Sequence, residues 1–226
     1  MKHSSIELAP HKLDAILCNA ATQLQVPLNL QPKEQYNAIH QPNKYRKGFQ
    51  FYRKDNPASA LGEFFNPFGN KGDLLYVKEE WSTIGPTSQS YLLKATTPEG
   101  SPDDLGKSTP WQPARTMPKH LARYWLKIEH IAMQRVQDIT TEQALAEGPT
   151  RCPKYDLRGF KPAYVDHSSA DEFRFCLGPK ATFKQLFKAN YGKLAWDKNF
   201  WCWVLTFNRV DAPNLERERN EEGYSN

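Results

Sequence analysis

The residues best suited to contact nucleic acid form a basic and aromatic stretch at positions 44–54, called here the basic stretch. It holds five cations and four aromatic rings and no acidic residue: Lys44-Tyr45-Arg46-Lys47-Gly48-Phe49-Gln50-Phe51-Tyr52-Arg53-Lys54. Aromatic rings can stack on bases while cations neutralise phosphates. The alternative, which the residue types favour, is a loop that folds its rings onto the core and leaves its charges in water. The predicted nucleic-acid contacts are Lys44, Arg46, Lys47, Phe49, Tyr52, Arg53 and Lys54.

A second group of polar side chains follows a short apolar segment at residues 72–81, whose sequence is Gly-Asp-Leu-Leu-Tyr-Val-Lys-Glu-Glu-Trp. Gly-Asp is typical of a turn, and the β-forming residues after it predict a buried strand. Lys78 and Glu79 then end the strand beside Trp81. Such charges form either a solvated rim or the wall of a pocket, and the pattern alone favours the rim.

The cysteine and histidine spacing predicts no metal site, and we expect no cofactor. The four cysteines, at positions 18, 152, 176 and 202, are far apart. Neither a Cys-x-x-Cys pair nor two histidines at zinc-ligand spacing occurs. With no signal peptide, the simple expectation is a reducing, cytosolic setting.

Length and charge limit the class of protein. The 226 residues predict one domain, and the net charge of +5 permits nucleic acid as a partner without requiring it. No apolar run approaches 18 residues, so we expect no membrane span.

Periodicity and capping residues predict a mixed α+β fold. The predicted helices span residues 10–24, 140–147 and 182–191, and the predicted strands span 72–81, 90–95, 122–136 and 200–210. The strand at 122–136 alternates imperfectly, which indicates a bulge near 129–132. Residues 25–70 and 149–180 are predicted to be irregular insertions. The segment 213–226 is predicted to be a charged, disordered tail.

Four motifs in order resemble phage and prophage proteins of the ASCH-domain family, which belongs to the PUA-like superfamily. They are Gly72-Asp73-x-Leu75-Tyr76-Val77-Lys78-Glu79-x-Trp81, then Trp111-x-Pro113 with Met117-Pro118 and Arg123, then Val136-Gln137-Asp138-Ile139-Thr140-x-Glu142-x-Ala144-x-x-Glu147-Gly148, and finally Trp196-Asp197-x-Asn199-x-Trp201-x-Trp203-Val204. The last motif has Phe200 where proline is usual. The resemblance covers residues 70–212 and implies a single domain over residues 1–212.

The fold that the resemblance implies is a small PUA-like β-barrel of five or six strands with flanking helices and a polar cleft. The cleft residues that it implies are Lys78, Glu79, Trp81, Arg123, Glu147 and Trp201. Family members of known chemistry are 4-acetylcytidine amidohydrolases that use a lysine, a threonine and a glutamate. Other PUA-like proteins bind RNA or modified bases without catalysis.

The N-terminal segment departs from the pattern that the hydrolases share. Residues 15–26, Ala-Ile-Leu-Cys-Asn-Ala-Ala-Thr-Gln-Leu-Gln-Val, resemble the family's Ala-Ile-Leu-x-Gly-Arg-Lys-Thr-Gln-Thr-Arg-Arg. The match puts Ala21 at the catalytic lysine and Leu24 at the second threonine, and it retains Thr22 and Glu147. Alanine can neither accept nor donate a proton, so the family's mechanism cannot run as written.

Three functions follow as expectations. The first is a catalytically inactive protein that binds nucleic acid or a nucleotide in the cleft. The second is a phage-encoded protein that binds a host protein in the bacterial cytoplasm. The third is a residual amidohydrolase that uses Glu147 and Thr22, with a lysine from elsewhere, such as Lys78 or one in the basic stretch.

Overall fold

A computed structural model describes residues 2–8, 10–44, 48–83, 91–94, 110–151, 163–166 and 174–213. In chain order its strands are β1 (His3–Glu7), β2 (Gln23–Pro27), β3 (Ala38–His40), β4 (Phe49–Arg53), β5 (Asn56–Phe64), β6 (Leu74–Lys78), β7 (Trp81–Thr83), β8 (Tyr91–Leu93), β9 (Trp125–Arg135), β10 (Thr150–Arg151), β11 (Ala163–Asp166), β12 (Arg174–Leu177) and β13 (Trp201–Val210). Its helices are α1 (Pro10–Leu17), α2 (Thr141–Ala146), α3 (Pro179–Tyr191) and α4 (Lys193–Asp197).

A five-stranded sheet with the order β1-β6-β9-β13-β2 organises the molecule. Strand β1 runs parallel to β6, and the other neighbours are antiparallel. Since β1 and β2 are its two edges, the described strands of this sheet do not close into a barrel. The smaller sheets are β3-β4-β5, β10-β11-β12 and β7-β8. The fold is therefore mixed α+β, mostly sheet with few helices.

Cross-strand partners share a face, so the register divides the main sheet into two faces. On the first face, helix α1 packs Leu13 and Ile16 against Leu24 and Leu205. Further along this face, Trp201 and Trp203 pack against the β3-β4-β5 sheet. On the second face, helices α2, α3 and α4 pack around Cys202.

Several elements are confirmed where they were expected. Thr140 caps α2 through a capping box with Gln143. The helix at 182–191 is α3, which ends where Gly192 takes a φ of +85°. The expected bulge in the long strand is present, because the β9–β13 register shifts between Thr206 and Phe207. No helix among the described ranges is long and apolar enough to cross a membrane.

Other expectations are corrected. The helix predicted at 10–24 ends at Leu17, because Asn19 adopts a left-handed conformation with φ +54° and residues 23–27 form β2. The segment 25–70, predicted to be irregular, contains β3, β4 and β5, and strands β10 to β12 lie within 149–180. Residues 152–162 and 167–173 of that second insertion, and 214–226 of the predicted tail, lie outside the described residues.

Candidate functional site

Four of the predicted cleft residues lie together, where the segment 110–124 meets the end of β6. Arg123 donates to both oxygens of Glu79, at 2.7 and 3.3 Å. Lys78 Nζ donates to the Arg115 carbonyl at 2.8 Å, and Trp81 Nε1 lies 3.1 Å from Thr116 Oγ1. Because Glu79 is buried and its charge is matched by Arg123, this pair anchors the segment, while Lys78 and Trp81 lie at the rim.

Trp201 lies elsewhere. Its ring packs against Phe51 with centroids 5.1 Å apart, and the Arg135 guanidinium lies 4.5 Å from its ring centroid. The side chain is 6% exposed, so it belongs to the core between the main sheet and the β3-β4-β5 sheet. In this structure it is not a cleft residue.

The basic stretch divides between core and surface. Phe49 is buried against Trp203, so its ring cannot stack on a base in this structure. Tyr52 is half-buried and stacks on His40 at 4.1 Å, and Arg53 is paired with Asp55. Among the remaining predicted contacts, Lys44 and Lys54 are exposed, while Arg46 and Lys47 lie outside the described residues.

The two segments to which the resemblance assigns the family's catalytic positions, Ala21–Thr22 and Glu147, are neighbours in space. Ala21 and Glu147 form an isolated antiparallel bridge, and the Thr22 N–H donates to the Ala146 carbonyl at 2.9 Å. Gly148 makes this approach possible, because a Cβ there would lie 2.8 Å from the Cβ of Ala21. The turn after α1 therefore meets the end of α2.

The Glu147 carboxylate is buried and is held by two side chains. Lys12 Nζ lies 2.5 Å from both Oε2 and the carbonyl oxygen of Glu147, and Gln23 Nε2 lies 3.4 Å from Oε1. Burial raises the pKa of Glu147, while the charge of Lys12 and the hydrogen bonds from Lys12 and Gln23 oppose that rise. The Glu147 carboxylate is therefore part of a buried ion pair, called here the Lys12–Glu147 pair.

The sequence prediction missed Lys12. The lysine that contacts Glu147 is neither Lys78, whose amino group donates to Arg115, nor a described residue of the basic stretch. One signal could have found Lys12, since it lies one helical turn before Ile16 on α1. That position alone does not identify its partner, because Glu147 lies 135 positions away and no local sequence pattern links the two residues.

A pocket of about 430 Å³, called here the Thr22 pocket, opens beside the same turn, at the end of the sheet where β2 begins. It is lined by Ile16, Asn19, Ala21, Thr22, Phe207, Asn208 and Arg209. Thr22, Asn208 and Arg209 are exposed, while Ala21 contributes a buried methyl group. Arg209 Nη1 also donates to the Leu17 carbonyl at 3.0 Å, which fixes its guanidinium near α1.

These groups can bind an anion and a polar ligand. The pocket offers one guanidinium, one hydroxyl and the amides of Asn19 and Asn208. Arginine and neutral donors of this kind recognise phosphate and carboxylate oxygens. No group of three or more His, Cys, Asp or Glu side chains among the described residues is arranged to hold a metal ion.

Comparison with known proteins returns no match: no family model, no curated protein and no solved structure aligns with this chain.

Proposed function

We propose that the protein is a catalytically inactive binding protein for nucleic acid or a nucleotide, built on an ASCH-type, PUA-like scaffold. The observation that carries the proposal is the environment of Ala21. A methyl group stands where the resemblance requires the catalytic lysine. The adjacent Glu147 carboxylate is already engaged by Lys12 and Gln23. The site therefore retains polar binding groups without the lysine of the family's mechanism.

The Thr22 pocket supports the binding half of this proposal. Its volume falls within the range of small-molecule sites, about 300–1,000 Å³. Arg209 supplies a positive charge at its mouth, and Thr22 and Asn208 supply exposed hydrogen-bonding groups. Such a set suits the phosphate of a nucleotide or of a strand.

The scaffold assignment is supported by one spatial relation. The segments that the motifs equate with the family's lysine-threonine turn and its glutamate are far apart in sequence but form a backbone bridge. We also propose, as part of this scaffold assignment, that the sheets together form a PUA-like barrel.

The test compares Arg209→Gln with Arg115→Gln, each of which removes one exposed arginine. Arg209 lines the pocket, whereas Arg115 lies beside Lys78 and Trp81. Fluorescence anisotropy would measure binding of short single-stranded RNA, duplex DNA and the four ribonucleoside monophosphates at low and moderate salt. We expect affinity for the polymers to fall as salt rises. Arg209→Gln should weaken binding several-fold more than Arg115→Gln, with both variants folded as judged by thermal unfolding.

Polymer binding that does not fall with salt, or equal effects of the two variants, would contradict the proposal. No binding of any probe by the wild-type protein would favour the alternative of a host-protein partner.

A second candidate, a residual amidohydrolase, is favoured by the Lys12–Glu147 pair. Lys12 brings an amino group to the carboxylate that the resemblance implies is catalytic, and Thr22 directly follows Ala21, which forms a bridge with Glu147. Incubation with 4-acetylcytidine would test this, with Glu147→Gln and Lys12→Gln as controls. Release of acetate no faster than in these controls would dismiss the hydrolase.

A further inference from the structure

Phe65 is an exposed aromatic residue that directly follows β5. The residue is 63% exposed, whereas its neighbour Phe64 points inward and meets Phe51 edge to face, with ring centroids 4.9 Å apart. The ring of Phe65 lies against the basic stretch, because a Cβ at Gly48 would be 3.2 Å from its Cε1 and 2.9 Å from the Cβ of Glu63. Gly48 is buried, so one edge of the ring covers the backbone there while the rest of the ring reaches solvent.

The outer face of the β3-β4-β5 sheet carries a second aromatic group. Phe51 of β4 points into the core, so its neighbours Gln50 and Tyr52 point outward. The register places His40 opposite Gln50, and the His40 ring stacks on Tyr52 with centroids 4.1 Å apart and planes at 17°. Glu63 of β5 also pairs with Gln50, so it lies on the same outer face.

Phe65 and the Tyr52–His40 stack therefore share this face. The Cβ of Glu63 and the Cε1 of Phe65 both lie within 3.2 Å of the same point beside Gly48, which puts the Phe65 ring next to an outward-facing residue. Gly48 and Tyr52 are four residues apart, or about 13 Å along an extended chain. A single base is too small to contact both aromatic groups, whereas successive bases of one strand can do so.

The charges on this sheet suit the phosphates of such a strand. Lys44 precedes β4 and Lys54 lies in the turn after it, and both are exposed. The acidic groups nearby are engaged, since Asp55 is paired with Arg53 and Glu63 accepts a hydrogen bond from a backbone N–H at 3.0 Å. Aromatic rings flanked by cations bind single strands, because the rings stack on unpaired bases and the cations neutralise the backbone.

We propose that the outer face of the β3-β4-β5 sheet binds single-stranded nucleic acid, with one base stacked on Phe65 and another on the Tyr52–His40 stack. This inference rests on the proposed nucleic-acid binding, and it names the class of strand and the base-stacking residues. Bases of a duplex are paired and stacked on one another, so they cannot stack on these rings. Phe65 supplies the exposed ring that Phe49, which is buried, cannot supply.

The experiment compares Phe65→Leu with Phe65→Trp and with Leu194→Ala. Leucine keeps an apolar side chain beside Gly48 without an aromatic face, and tryptophan keeps that face and enlarges it. Leu194 on α4 is the matched control, because it is also 63% exposed and lies outside this sheet. Thermal unfolding would first establish that each variant folds.

Fluorescence anisotropy would then measure binding of short single-stranded RNA and DNA and of duplexes with the same sequences. A further probe is a strand whose nucleotides are abasic, which keeps the phosphates and removes the bases. Each titration would be repeated at low and moderate salt. The four ribonucleoside monophosphates and Arg209→Gln would be included, so that the Thr22 pocket is measured in the same series.

We expect the wild-type protein to bind single strands more tightly than duplexes. Phe65→Leu should lose about fivefold to a hundredfold in affinity for single strands, the effect of one stacked base, while Phe65→Trp and Leu194→Ala should not lose affinity. The salt dependence of Phe65→Leu should match that of the wild type, because no phosphate contact is lost. Phe65→Leu should also bind the abasic strand as the wild type does, since no base remains to stack on the ring.

Tyr52 provides an independent check of the second stacking position. Tyr52→Leu should also lower the affinity for single strands without changing the salt dependence, whereas Tyr52→Phe keeps the ring and should bind normally. Wild-type affinity in a folded Tyr52→Leu variant would overturn the assignment of this position.

Three results would overturn the inference: duplexes bound as tightly as single strands, wild-type affinity in a folded Phe65→Leu variant, or an equal loss for the abasic strand. Should Phe65→Leu not fold, the wild-type protein decides, because equal affinity for the natural and abasic strands would exclude stacking. If binding of mononucleotides or strands still depends on Arg209, the proposed function stands and only the sheet assignment fails. If the wild-type protein binds no probe, both fail.

Discussion

At the scale of single residues, the Lys12–Glu147 pair joins the first helix to the end of the second. Both side chains are mostly buried, with exposed fractions of 14% and 6%. Desolvation of two charges offsets much of their attraction, so such a pair adds little net stability. Loss of one partner is costly, because it leaves the other charge buried and unpaired.

Replacement of Lys12 by methionine should therefore destabilise the protein. Methionine keeps the apolar stem but leaves the Glu147 carboxylate without its cation, for an expected loss of about 3 kcal/mol in unfolding free energy near neutral pH. Denaturant titration would measure it. The double variant Lys12→Met with Glu147→Gln should recover most of the loss. A Lys12→Met variant as stable as the wild type would show that Glu147 does not need its cation in the folded protein.

The raised pKa of Glu147 gives this residue a defined effect on the pH dependence of stability. The folded protein binds this proton more tightly than the unfolded chain, whose carboxyl titrates near the ordinary value of 4.5. Its contribution is therefore fully present below pH 4.5 and is lost as pH rises through the folded pKa. The wild-type unfolding free energy, minus that of Glu147→Gln, should fall across this window. Lys12→Met should make the fall larger, and a difference that rises with pH would contradict the assignment.

At the scale of elements, the site depends on the contact between the α1–β2 turn and the end of α2. The capping box at Thr140 fixes where α2 begins, and Gly148 ends it with a φ of +85°. The missing Cβ of Gly148 lets Ala15 and Ala21 approach closely. This contact places Glu147 opposite Lys12 and Gln23.

Alanine at Gly148 should separate these elements, and Gly192→Ala is the matched control. Both glycines have a φ of +85°, but a Cβ at Gly192 meets nothing within 4 Å, whereas one at Gly148 meets two methyl groups at 2.8 Å. Backbone strain alone should cost each variant about 1–2 kcal/mol. Gly148→Ala should lose about 2 kcal/mol more through overpacking, and it should also weaken nucleotide binding. Equal losses of unfolding free energy in the two variants would show that Ala15 and Ala21 move to accept the added methyl group at no energetic cost.

At the scale of the whole molecule, β13 connects two regions of different character. Near Trp201 it packs against the β3-β4-β5 sheet, which carries the described part of the basic stretch. At Arg209, eight residues later, it lines the Thr22 pocket. An extended strand of that length spans about 26 Å, so one mononucleotide cannot contact both regions, whereas a polymer can.

Neutralising the basic stretch should therefore affect polymers and spare mononucleotides. Glutamine at Lys44, Arg46, Lys47, Arg53 and Lys54 should lower the affinity for RNA and DNA and make it less sensitive to salt. The logarithmic salt slope should decrease by about one unit for each phosphate that the variant no longer neutralises. Arg53 should contribute least, because Asp55 already neutralises it. The affinity for mononucleotides should stay unchanged, and equal losses for both classes of ligand in anisotropy titrations would refute the separation of the two regions.

The sequence by itself determined the elements whose signals are local. The capping residues around α2, the glycine after α3 and the alternation with its bulge in β9 lie within a few positions of the structure they encode. Thr22 and Glu147 were candidate residues through a resemblance rather than through periodicity, and the contact between their segments is a finding of the structure.

Only the tertiary structure decided the partners that close the site. Residues 18–24 continue a helical pattern, yet they turn and enter β2, because pairing with β13 and packing under α1 outweigh local propensity. Lys12 meets Glu147, Gln25 is buried without a partner, and Phe49 and Trp201 enter the core through contacts between residues far apart in the chain. Such contacts depend on the order of strands in the sheet and on packing. Neither can be read from the local sequence around the residues that come into contact.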